Sequence, residues 1–261
     1  MIVVAGCGRM GEPMLTALRR AGHEACGFDV VSKDNNFITN DISKVYAPVE
    51  TLITVVRDIA QTENVIFDDQ RFVDAPNLKR IVVSSTLSPR YVQSLRARVA
   101  PEIALIDAPM SGASIAAQQS RLSFMLGGSP TDIAGIQSLL DAMGTHFHHM
   151  GDYGAGMQAK VLNNMLAAAN TAMTRLVLDW ADHAGINEAN LLALIHTSSG
   201  QNWFASGMSD IEFSRDGYAQ DNTIGILVKD IASALDAAPQ GADITLPTAI
   251  QAAIANLKPR S

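Results

Sequence analysis

The sequence predicts an α/β protein, a doubly wound and mostly parallel sheet followed by an all-α C-terminal half. Three observations carry that prediction. The chain opens with an apolar β-branched run, Ile2 to Ala5, that leads into Gly6, Gly8 and Gly11 and then into a helical pattern. Short apolar runs then alternate with helix-length segments as far as residue 151, the pattern of repeated strand–helix–strand units. From Gly154 onward no strand pattern returns, and apolar residues recur at helical spacing. These changes divide the chain into two domains, 1–152 and 153–261.

Each element has a local reason. In "MIVVAGCGRMGEPMLTALRRAGHEACGFDVV" the first strand precedes a helix whose Met14, Leu15 and Leu18 share a face, with Gly22 as its stop, and "ACGFDVV" is the second strand. The stretch from Ser32 to Glu50 is short for a full crossover and predicts an abbreviated one. "TLITVVRD" and "RIVVSST" are strands, with "IAQTENVIFDD" between them as a helix and turn. "SPRYVQSLRARV" opens a helix with Ser88 as N-cap and Pro89 at the first helical position. "ALIDAP" and "LSFMLGG" are strands, "TDIAGIQSLLDAMG" a helix, and "THFHHMG" the last strand. The second half holds a long helix to His183, then "NEANLLALIHTSS", the neighbourhood of "QNWFASGMSD", "DNTIGILVKDIASALDAA" and "PTAIQAAIANL".

Bulk properties narrow the partners. A length of 261 residues exceeds most single cores. A formal net charge of −7 argues against nucleic acid and against an anionic membrane surface. Two cysteines, Cys7 and Cys26, give no disulfide scaffold and suit a reducing cytoplasm. No apolar run reaches membrane-spanning length, and the opening residues read as a first strand and not as a signal peptide. His146, His148 and His149 have no carboxylate or cysteine cluster beside them, so no metal site is assigned.

The opening carries chemistry. Gly6, Gly8 and Gly11 form G-x-G-x-x-G between a strand and a helix, with Arg9 and Met10 inside the loop and Asp29 closing the second strand. That is the Rossmann-type arrangement. The loop gives a pyrophosphate its backbone amides and a helix N-terminus, and Asp29 accepts hydrogen bonds from the hydroxyls of an adenosine ribose. An acid there repels a 2'-phosphate, so NAD is the expected cofactor and NADP the less favoured one, with Lys33 leaving it open.

The segment "GAGMQAKVLNNM" poses a separate question, because Lys160 and Asn164 share one face of a helix whose stripe, Val161, Met165, Ala168, Ala172, Leu176 and Trp180, is expected to face a core. A lysine among apolar neighbours is either solvated at the end of its stem or paired and used. For oxidation of an alcohol, a lysine whose pKa is lowered by burial is a suitable general base, and its ammonium is the acid for the reverse reaction.

Four ordered stretches decide between these readings: "GCGRMGEPMLTALRRAGH", "DAPMSGASIAAQQSRLSFMLGG", "GAGMQAKVLNNML" and "LVKDIASALDAA". Together they resemble the NAD(P)-dependent β-hydroxyacid dehydrogenases, the 3-hydroxyisobutyrate dehydrogenase-like group related to 6-phosphogluconate dehydrogenase. The resemblance implies an NAD-binding Rossmann domain over 1–152 and a helical domain for substrate and dimerisation over 153–261. It implies Lys160 as general acid and base, Asn164 as its partner in orienting substrate, and Ser111 and Gly112 as the hold on the substrate carboxylate. By the same resemblance Lys229 closes the site and reaches cofactor and substrate, Thr86 lies near the nicotinamide end, and Trp203 lines the substrate side. The implied ligand is a small anionic hydroxy acid, and the implied assembly a homodimer or homotetramer.

The chain departs from that pattern at Ala113, the third position of Ser-Gly-Gly, and at Ser120 and Arg121, where glycine and a small polar residue are usual. It departs again at Asn222 in place of phenylalanine, at Arg57 in place of an apolar residue, and in a C-terminus ending at "NLKPRS". These changes bear on substrate choice and subunit contacts. The alternatives are an imine-reductase-like enzyme, against which the lysine speaks, and a non-catalytic NAD-binding sensor.

Overall fold

The computed structural model describes residues 1–261. It divides into two compact units, Met1–Lys160 and Val161–Ser261. The division falls inside the long helix, whereas the sequence pattern places it just ahead of that helix.

In chain order the first unit holds β1 (Ile2–Ala5), α1 (Gly11–Arg20), β2 (Ala25–Phe28), β3 (Ile38–Thr39), α2 (Ser43–Tyr46), β4 (Thr51–Thr54), α3 (Ile59–Ile66), β5 (Arg80–Val83), α4 (Pro89–Leu95) and β6 (Ala104–Asp107). It continues with β7 (Met110–Ser111), α5 (Ala113–Gln118), β8 (Leu122–Gly127), α6 (Pro130–Ala134), α7 (Gln137–Met143) and β9 (Gly144–Gly151). The sheet runs β3-β2-β1-β4-β5-β6-β8-β7, with β9 also paired to β8. From β3 to β6 every pairing is parallel, while β8 runs antiparallel to β6 and β7. The chain builds outward from β1 to one side and then crosses to β4 on the other, so the topological switch lies at the C-terminal end of β1, where ligands bind in such sheets.

Side-chain alternation covers both faces. Val4 packs in a layer with Met14, Leu15 and Leu18 of α1 and Leu139, Leu140 and Met143 of α7. Val3 and Ala5 pack in the opposite layer with Val65, Ile66, Val92 and Leu95 from α3 and α4. The abbreviated crossover is present as the two-residue β3 and the four-residue α2. The second strand is shorter than the sequence suggests and ends at Phe28, because the Asp29 carboxylate accepts the amide of Val31 and turns the chain outward. The segment read as one helix over 131–144 is two, α6 and α7, separated at Gly135 and Ile136.

In the second unit α8 (Ala155–His183), which begins in the first, is followed by α9 (Glu188–His196), α10 (Trp203–Ser206), α11 (Thr223–Asp236) and α12 (Thr245–Ala255). Its core gathers Ala168 and Leu178 with Phe204, Met208, Phe213, Ile224, Leu227, Ile231 and Ile254. The expected α8 stripe is correct for Val161 and Ala168 and wrong further on, where Leu176 and Trp180 are 42% and 69% exposed. Thr171 and Arg175 are buried in their place. Thr171 donates to the Ala167 carbonyl, and the terminal nitrogens of Arg175 donate to the carbonyls of Ser214, Asp216 and Lys258, while its Nε is buried without a hydrogen-bond partner. Leu176 and Trp180 instead join Leu162, Leu166 and Met173 on a second, exposed face.

Candidate active site

The glycine loop leaves β1 at Gly6, whose φ is +94°. A Cβ there would meet the Val55 carbonyl oxygen at 2.5 Å, so only glycine fits both the turn and the approach to β4. At Gly8 the opposite holds, since a Cβ would find nothing within 4 Å and the backbone is approachable there. Asp29 closes this corner, with its Oδ2 accepting the Cys7 amide at 2.8 Å and its Oδ1 the Val31 amide at 2.9 Å. The carboxylate is thus fixed beside the loop and keeps lone pairs for the hydroxyls of a ribose. A glycine loop at the start of α1 with a fixed acid one strand away is the arrangement a dinucleotide needs, and the residues present fit it. Ser114 Oγ donates to the Arg9 carbonyl at 3.3 Å and ties the start of α5 to this loop. Cys7 is no competing nucleophile. Burial, reinforced by the charges of Asp29 and Glu12, pushes its thiol up to about 12.

Lys160 is buried, at 7% exposure, and its Nζ donates to Ser111 Oγ on β7 at 3.3 Å. The solvated reading of the lysine is therefore excluded. Two features hold this pair. Asp107, buried at the end of β6, accepts the Gly154 amide at 2.7 Å and that of Met157 at 2.5 Å, capping the first turn of α8. Desolvation raises its pKa against those hydrogen bonds. From Asp107 the chain reaches Ser111 through β7 and then turns at Gly112 into α5. Ala113 and Ser120 have φ of +54° and +53°, so both departures from the usual glycine put a side chain on left-handed backbone.

In the second unit Asn164 Nδ2 donates to Asp230 Oδ2 at 2.6 Å. Lys229 Nζ lies 3.1 Å from the other oxygen, an ion pair that stands off the hydrogen-bonding direction. Asn222 caps α11, its Oδ1 accepting the Gly225 amide at 3.0 Å, which explains a polar residue there.

Family models match both halves. Residues 1–151 match the NAD-binding domain of 6-phosphogluconate dehydrogenase, and residues 154–257 the NAD-binding domain of NADP-dependent 3-hydroxyisobutyrate dehydrogenase. A mitochondrial 3-hydroxyisobutyrate dehydrogenase of Drosophila melanogaster is 33% identical over 76% of this chain, a match that spans 63% of the fly protein. The NAD-dependent L-serine dehydrogenase of Pseudomonas aeruginosa is 28% identical over 94% of this chain and 87% of its own. In structure, the 3-hydroxyisobutyrate dehydrogenase of Mycobacterium tuberculosis solved with L-serine superposes with a TM-score of 0.82 at 25% identity, over 98% of this chain and 95% of that one.

The chain is a member of the β-hydroxyacid dehydrogenase family. It is of the 3-hydroxyisobutyrate dehydrogenase type, an NAD-dependent oxidoreductase of hydroxy acids. In this dehydrogenase the remaining sequence-predicted residues lie as follows. Met10 is half-buried and precedes α1, while Arg9 is exposed. Thr86 is half-buried in the loop after β5, next to Ser85, whose hydroxyl accepts the Val56 amide at 2.8 Å. Trp203 is 42% exposed and packs edge-on against Phe204. Arg121 is exposed and bonded to Gln119.

Sequence reasoning missed the two buried aspartates. Asp230 carried a signal, since it stands with Leu227, Ile231 and Ala234 on the buried face of α11. A carboxylate at such a position requires partners. Asp107 carried none beyond its place at a strand end.

Proposed function

We propose that the enzyme oxidises a small β-hydroxy acid of the 3-hydroxyisobutyrate or serine class to its semialdehyde with NAD, or runs the reverse reduction, with Lys160 as general acid and base. The observation that carries this reading is the burial of Lys160 with its Nζ directed at Ser111. Gly6, Gly8, Arg9, Met10 and Gly11 hold the pyrophosphate, Asp29 the adenosine ribose and Thr86 the nicotinamide end. A bound nicotinamide would supply the hydride acceptor for oxidation of the carbinol carbon and the hydride donor for the reverse reduction. Neutral Lys160 takes the hydroxyl proton during oxidation, and its ammonium gives a proton to the carbonyl oxygen during reduction. Ser111 accepts from Lys160 through its oxygen, so its O–H remains to donate to a substrate carboxylate, beside the Gly112 backbone. Asn164, one turn beyond Lys160 on α8, orients the substrate hydroxyl, Lys229 supplies positive charge for the carboxylate and for the cofactor, and Trp203 bounds the substrate side.

In this reading 1–152 serves the cofactor and 153–261 the substrate and self-association. The exposed face of Leu162, Leu166, Met173, Leu176 and Trp180 supports a homodimer or homotetramer. A monomeric mass in solution at micromolar concentration would contradict it. No helix is long and apolar enough to cross a membrane, and two free cysteines support a cytoplasmic location.

The test is nicotinamide absorbance with NAD and NADP separately, over 3-hydroxyisobutyrate, serine, 3-hydroxypropionate, glycerate and 4-hydroxybutyrate. Turnover of a β-hydroxy acid with preference for NAD is expected. Tight NADH binding without turnover of any of them would instead favour a sensor.

A further inference from the structure

We propose that Asp230 is a positioning residue that fixes the side-chain amide of Asn164 in one orientation, so that Asn164 meets the substrate as a hydrogen-bond acceptor and takes its hydroxyl, not its carboxylate. The inference rests on the proposed role of Asn164 and adds what sets that role.

Asp230 is 1% exposed, on the buried face of α11. Beside the ammonium of Lys229 it is a carboxylate, and a carboxylate only accepts hydrogen bonds. The amide of Asn164 must therefore turn its NH2 toward Asp230, as the 2.6 Å contact shows. One N–H of the amide is thereby committed to Asp230, and its carbonyl Oδ1 is held off the carboxylate as an acceptor for a ligand. Asn163 Nδ2 donates to that oxygen at 3.2 Å and occupies one of its two lone pairs. A free lone pair on an amide oxygen suits an alcohol O–H or an ammonium and repels a carboxylate.

The same aspartate holds Lys229 on its other oxygen, so one buried charge organises an acceptor and a cation. Lys229 brings positive charge for a carboxylate while Asn164 offers an acceptor for a hydroxyl. A substrate with an acid at one end and an alcohol at the other is thereby given a direction. Without Asp230 the amide is free to rotate, and its NH2 competes with its Oδ1 for the position that meets the hydroxyl.

The test is Asp230→Asn, which keeps shape but offers either an acceptor or a donor to Asn164. Steady-state kinetics on the turned-over hydroxy acid are combined with NADH binding by fluorescence, in wild-type and Asn164→Ala backgrounds. In the wild-type background kcat/KM is expected to fall roughly 10- to 100-fold, the loss of one charge-assisted hydrogen bond, with NADH affinity unchanged. In the Asn164→Ala background the same change is expected to cost several-fold less, the remainder acting through Lys229. Wild-type kcat/KM in Asp230→Asn beside a crippled Asn164→Ala overturns the inference alone, and so does an equal loss in both backgrounds. Full activity of Asn164→Ala overturns the proposed role of Asn164 itself.

If Asp230→Asn does not fold, Asn164→Asp replaces it. Two carboxylates at this separation must share a proton, so kcat/KM is expected to acquire an acid-favoured limb absent from the wild type. Identical pH profiles would overturn the inference.

Discussion

Each unit of the dehydrogenase buries one aspartate, and the two are satisfied in different ways. Asp107 is held by backbone amides at the first turn of α8, groups that every helix start must satisfy somewhere. Asp230 is held by the side chains of Asn164 and Lys229, both of which the sequence already marked for the substrate. A carboxylate bonded to backbone builds the frame, while one bonded to the side chains proposed for the substrate is, in the proposal above, what sets their orientation. The contrast separates residues that position Lys160 by making the helix from residues that position chemistry on a helix already made.

The largest stability effect should fall on the first. Asp107→Ala leaves the Gly154 and Met157 amides without their acceptor and is expected to destabilise the protein by about 3 kcal/mol, lowering Tm by roughly 6–12 °C in calorimetry. Asp230→Asn is expected to lower Tm far less while reducing turnover far more. Equal thermal losses in the two variants would break the comparison.

A smaller effect sharpens it. Burial raises the pKa of Asp107 above its ordinary 3.8, so its titration stabilises the fold most below that value and this contribution is lost as pH rises through the folded pKa. Measured against Asp107→Asn, which cannot titrate there, the wild type should lose relative stability as pH rises from about 4, by roughly 1 kcal/mol per pH unit or less. A difference independent of pH would show that desolvation does not govern this carboxylate.

The comparison also marks what sequence reveals. β1, the glycine loop, α1, α8 and α11 were legible because each announces itself within a few turns of chain, through period, caps and glycines. Lys160 and Asn164 were legible as an unexplained polar pair on a helix with an apolar stripe. Asp107 and Asp230 were not, because a buried carboxylate is defined by its partners. Those of Asp107 lie 47 and 50 residues away, and Asn164 lies 66 residues from Asp230. β7 and α5 were missed for another reason: a two-residue strand and a helix entered through left-handed Ala113 leave no periodic trace. On α8, one apolar stripe was read where the helix has two apolar faces, and composition alone does not say which one carries Arg175 inward.

The central claim is that Lys160 performs the proton transfer. Its most direct test is Lys160→Ala, with kcat/KM measured across pH beside NADH binding and a thermal melt. The expected result is a loss of roughly 10²- to 10⁴-fold in kcat/KM, with the limb that reports the lysine removed, and NADH affinity and Tm close to wild type. Turnover at the wild-type rate with an unchanged pH profile would contradict it.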